Sequence, residues 1–84
     1  MNAYYMSFCD PAKVEGSQFI GACLVQADTE VDAMTESHLR GCNPGGEIML
    51  IGPMPINDEA AAPYMNRLLS REEAENMPDV TADA

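Results

Sequence analysis

Residues Asp28 to Ile51 read DTEVDAMTESHLRGCNPGGEIMLI and hold one complete helix, a turn and a strand. Thr29 and Asp32 have capping-box spacing, in which the threonine hydroxyl takes up a free backbone N–H of the first turn. Gly41 stands where a helix wants a left-handed residue, and Asn43-Pro44-Gly45-Gly46 blocks any continuation. The helix is therefore expected over Thr29–Arg40. Val31, Met34, His38 and Cys42 are spaced to line its apolar face, with Leu39 at the margin. Glu47–Ile51 then reads as a strand, stopped by Gly52-Pro53.

Two more strands lie upstream. In Ala3–Cys9, Tyr4, Met6 and Phe8 alternate with Tyr5, Ser7 and Cys9. Asp10-Pro11 breaks that run, and Gln18–Gln26 is a second strand, so the pair forms a hairpin. The order β-β-α-β, with a right-handed crossover through the helix, places the third strand beside the first. The expected fold class is α+β: a three-stranded antiparallel sheet, order 2-1-3, packed on one helix. Glu47–Ile51 complicates this order, because it is apolar on both faces, as a central strand is. The handedness rule is the stronger of the two and leaves the first strand in the centre.

One helix covers one face of such a sheet. The other face needs the C-terminal arm, or a second subunit in a homodimer joined through the open face or a sheet edge. In the arm, Pro63 opens a short helical turn carrying Tyr64, Met65, Leu68 and Leu69. Ser70-Arg71-Glu72-Glu73 is a second capping-box pattern, heading a last helix through Met77. Residues 1–77 form one domain on this reading, and Pro78 to Ala84 is a flexible acidic tail.

Composition narrows function. Fourteen acids against four bases (Lys13, Arg40, Arg67 and Arg71) give a net charge of −10 over 84 residues. That balance disfavours direct binding to nucleic acid or an anionic membrane and favours basic partners. The start, Met1-Asn2-Ala3-Tyr4-Tyr5, lacks the basic-then-apolar form of an export signal, and no apolar run approaches the ~20 residues of a membrane span. Three cysteines fit a reducing compartment better than a disulfide framework. A cytoplasmic protein is expected.

Several residues could carry chemistry. His38 and Cys42 lie four apart, and with Cys9 and Cys23 they would make a zinc set or a thiol–imidazole pair. No Cys-x-x-Cys pair, orienting third group or oxyanion hole accompanies them, so no metal, cofactor or catalytic residue is expected. The turn at Asn43, Gly45 and Gly46 could offer N–H groups to a small anionic ligand. The acids form the clearer pattern. Asp28, Asp32 and Glu36 are spaced by four, and Arg40 continues the line. With Asp58, Glu59, Glu72, Glu73 and Glu75 they are the candidate contacts to Lys and Arg on a nucleic-acid-binding protein. A carboxylate row at that spacing imitates a run of phosphates.

In size, charge and strand order, and in the acids Asp28, Asp32, Glu36 and the stretch Glu72 to Asp83, the chain resembles small acidic ββαβ-like proteins of phages and mobile elements, anti-CRISPR proteins among them. That resemblance implies a stoichiometric inhibitor seated on a basic nucleic-acid channel of a host defence complex. The alternatives are a homo-oligomeric accessory protein, a small-ligand sponge built on Asn43–Gly46, and a Cys/His thiol or zinc enzyme.

Overall fold

The computed structural model describes residues 2–82. Strands β1 (Asn2–Cys9), β2 (Phe19–Gln26) and β3 (Glu47–Pro55) form one antiparallel sheet in the order β2-β1-β3. The crossover argument thus holds, and β1 is central. Helix α1 (Glu30–Leu39) joins β2 to β3; α2 (Asp58–Ala61), a 3₁₀ turn (Ala62–Tyr64) and α3 (Arg71–Asn76) follow. No helix among the described residues is long and apolar enough to cross a membrane.

The ends of α1 are set by the residues that the sequence marks. Thr29 Oγ1 accepts from the Asp32 N–H at 3.1 Å. At the other end Gly41 adopts φ +69°, donating to the His38 carbonyl while Cys42 donates to Ser37. Those two bonds form a Schellman motif, which satisfies carbonyls the helix itself leaves open.

The helix is turned differently from the expectation. Ala33 and Ser37 are buried and Met34 is half-buried, whereas Val31 is 75% exposed and His38 also faces solvent. Size decided this orientation. Ala33 and Ser37 lie one turn apart, and their small side chains let the helix approach the sheet closely. The Ser37 hydroxyl stays satisfied there by donating to the Met34 carbonyl at 2.7 Å.

On the α1 side, Tyr4, Met6, Phe8, Cys23 and Val25 form the main core, with Ile48 and Leu50 packed against it. The arm covers part of the opposite face. Ala3, Leu24, Ile56, Ala61 and Val80 form a second core there, supported by Tyr64 and Met65.

From Gly52 onward the chain departs from its expected form in four places. Strand β3 runs through Pro53 to Pro55 instead of stopping at Gly52-Pro53, with its register to β1 shifting between Ala3 and Tyr5. Pro lacks only the N–H, so it is tolerated on an edge strand beside a bulge. Helix α2 was not foreseen, although Asn57 caps it by accepting from the Ala60 N–H at 3.1 Å. Leu68 and Leu69 are extended, not helical: Leu69 and Ala22 exchange two backbone bonds, of 2.6 and 3.1 Å. This short segment, with Met65 bridged to Leu24, covers the outer edge of β2. The segment expected to fray after Pro78 is docked as well. Val80 is buried, and Ala82 donates to the Pro55 carbonyl at 3.0 Å. Residues 83 and 84 of the expected tail lie outside the described residues.

Candidate functional site

The four-residue spacing of Asp28, Asp32 and Glu36 has a structural counterpart. The three acids line one open groove of about 330 Å³, together with Gln26, Ala27, Thr35 and Arg40. The groove runs between the exposed side of α1 and the end of β2. Glu36 is paired with Arg40 at 3.1 Å, and Asp28 accepts from the Asn2 amide at 3.2 Å. Asp32 has no ion-pair partner among the described residues. The groove walls thus carry three carboxylates and one guanidinium, a surplus of negative charge that a partner's Lys or Arg would neutralise.

The remaining acids do not join them. Helix α3, with Glu72, Glu73 and Glu75, packs against β2 on the other face of the sheet, where Tyr5, Phe19, Arg71, Ala74 and Glu75 line a smaller groove of about 230 Å³. Within the arm, Arg67 meets Glu73 at 2.6 Å and Arg71 lies 3.8 Å from Glu75. The hydrogen bond from Arg67, followed by one from the Ser70 N–H, holds the Glu73 carboxyl below the usual glutamate range. Glu73 ties α3 to the segment before it through Arg67, and Ser70 and Glu73 complete the capping box reciprocally. Asp58 and Glu59 open α2, near the sheet end where Asn2 pairs with Pro55 and touches Asp28. They belong to the same end of the molecule as Asp28 but line neither groove.

The turn at Asn43, Gly45 and Gly46 is committed to structure. The Asn43 Oδ1 accepts from the Gly45 N–H at 2.8 Å, and its amide donates to Ser37 Oγ at 3.1 Å. Gly46, at φ +84°, lies so close to β1 that a Cβ would fall 2.5 Å from the Cys9 carbonyl oxygen. The N–H of Gly45, which a bound anion would need, is therefore already used.

The thiols are separated by environment. Cys23 and Cys42 are buried in the same core and meet each other, while Cys9 is half-buried and His38 is exposed. Burial pushes the Cys23 thiol far up, and the neighbouring Cys42 adds to the shift. Burial likewise raises the Tyr4 phenol, with Glu30 and Asp28 contributing. Among the described residues no three His, Cys, Asp or Glu side chains converge where a metal ion could be held.

Sequence reasoning missed one surface feature. Met49 (62% exposed) and Ile51 (52%) stand uncovered on the sheet face opposite α1. The signal was present in the sequence, as the two-sided apolarity of a strand that topology places on the edge. Comparison of the chain with protein-family models, characterised proteins and solved structures finds no match in any of the three.

Proposed function

We propose that the protein is a non-catalytic binding module whose α1 face occupies a basic, nucleic-acid-binding surface of a partner protein, as a phage-type inhibitor of a host defence complex would. The observation that carries this reading is the groove lined by Asp28, Asp32 and Glu36 in a chain of net charge −10. Asp32 and Glu36 stand one turn apart on α1, Asp28 lies just before the helix, and the groove's volume takes a Lys or Arg side chain. Three of the four bases are held in ion pairs: Arg40 with Glu36 at the groove, and Arg67 and Arg71 inside the arm. Little positive charge is left to attract nucleic acid directly.

The test is competition. A partner isolated with the protein should release a labelled oligonucleotide when the protein is added, in one-to-one proportion. The Asp32→Lys/Glu36→Lys variant should fail to displace it. A partner that binds protein and oligonucleotide together, or binds the charge-reversed variant equally well, overturns the proposal.

A further inference from the structure

Strand β3 has the composition of an interior strand and the position of an edge strand. Between Glu47 and Asn57 it carries no charged residue, in a chain with fourteen acids. Natural edge strands are blunted by charges, prolines, bulges or a covering segment. The C-terminal half of β3 has such protection: Pro53, Pro55, the register shift, and the pairing of Ile56 with Thr81. The N-terminal half, Ile48 to Ile51, has none among the described residues. Its backbone direction follows from alternation. The Asn2 carbonyl accepts from Ala27 on the β2 side, so Ala3, Tyr5 and Ser7 turn toward β3. Their partners Ile51 and Met49 turn inward, which leaves the N–H and C=O of Ile48 and Leu50 pointing out of the sheet.

We infer that this edge pairs with the same edge of a second copy, antiparallel and centred on Leu50, to give a continuous six-stranded sheet. In that register Leu50 faces Leu50 of the second copy as a hydrogen-bonded pair, and Ile48 faces Gly52. Met49 and Ile51, the two exposed apolar residues of the strand, then sit directly opposite each other twice, covering both. The register is also the one that charge permits. Each Glu47 falls opposite Pro53, so the two Glu47 carboxylates are six residues apart along the strand, about 20 Å. That exceeds the roughly 8 Å screening length at physiological salt. Helices α1 and α3, which carry six of the fourteen acids, pack mainly on β2, the strand farthest from this edge. Thus two highly acidic chains meet through a stretch, Ile48 to Ile56, that carries no charge. The pairing buries less than the ~800 Å² per partner of a standard interface, so the dimer belongs to the concentration-dependent class.

The experiment is sedimentation and native mass spectrometry across the micromolar to millimolar range. The mass should rise from 9.1 kDa toward twice that value as concentration increases. Met49→Lys/Ile51→Lys places like charges opposite each other and should remain monomeric, and so should Met49→Glu/Ile51→Glu. Both substitutions fall on exposed positions, and circular dichroism should match the parent. Mixing the two variants should restore a dimer that is solely the mixed species, since each lysine then faces a glutamate. A parent chain that stays monomeric throughout overturns the inference. So does a dimer that survives the lysine pair, or a mixture that yields no mixed species. None of these outcomes touches the acidic groove, whose test uses different residues.

Discussion

Replacing Gly46 with alanine should destabilise the protein more than the same change at Gly45, although both residues lie in one turn with similar backbone angles. Gly45 has φ +88° and Gly46 φ +84°, so an L side chain at either position carries a conformational cost of about 1–3 kcal/mol. A Cβ at Gly45 would meet nothing within 4 Å, and there the cost ends. At Gly46 it would lie 2.5 Å from the Cys9 carbonyl oxygen and 3.0 Å from the Ile20 side chain. The first of these contacts is backbone, so β1 and the start of β3 must separate, and such overpacking adds about 1–3 kcal/mol. The total, about 2–6 kcal/mol, is comparable with the ~3–5 kcal/mol that a core of this size supplies. Urea denaturation followed by circular dichroism would show the difference as a lower midpoint at unchanged slope. Equal midpoints for the two variants would refute the close approach, and the turn would regain its freedom to bind a ligand.

Ala33→Asp should unfold the domain or cost several kcal/mol, because it buries an unpaired carboxylate, whereas Val31→Asp should change stability by no more than ~0.5 kcal/mol. Thermal melts of the pair check the orientation of α1, and equal effects would contradict it. In native protein a thiol reagent should modify Cys9 first, with Cys23 and Cys42 reacting only on unfolding, as counted by mass. The Glu73 carboxyl is held below its ordinary range, so its contribution is present above the unfolded value of about 4.3 and is lost as pH falls through the folded value. Glu73→Gln should therefore flatten the acid limb of stability against pH, and an unchanged limb would show that the Arg67 contact is not maintained.

The parts of the fold that sequence made legible are those fixed by local bonds. Thr29, Gly41 and Ser70 each mark a helix end through one or two backbone contacts within a few residues, and each mark holds. The strand order was legible through handedness, which depends on element order alone. What sequence obscured depends on distant partners. Leu68 and Leu69 have helical spacing from Tyr64 and Met65, yet the free edge of β2 draws the chain into extended pairing at Ala22. Val80 reads as part of a tail because its site is made by residues distant in sequence, Ala3, Leu24 and Ile56 among them. Hydrophobic spacing points to Val31 for the buried face, whereas close approach to the sheet favours the small Ala33. The site shows the same division. Regular spacing brought Asp28, Asp32 and Glu36 into one groove, but Glu73 was drawn off by Arg67, six residues away across a loop.

The central claim is that the acidic face of α1 is the binding surface, and one capture experiment tests it most directly. Parent, Asp32→Lys/Glu36→Lys and Met49→Lys/Ile51→Lys proteins are immobilised, exposed to lysate of the native host and washed with rising salt. The account predicts a basic partner held by the parent and by the β3 variant, released as salt rises, and absent from the α1 variant. A partner retained by the α1 variant and indifferent to salt would contradict it.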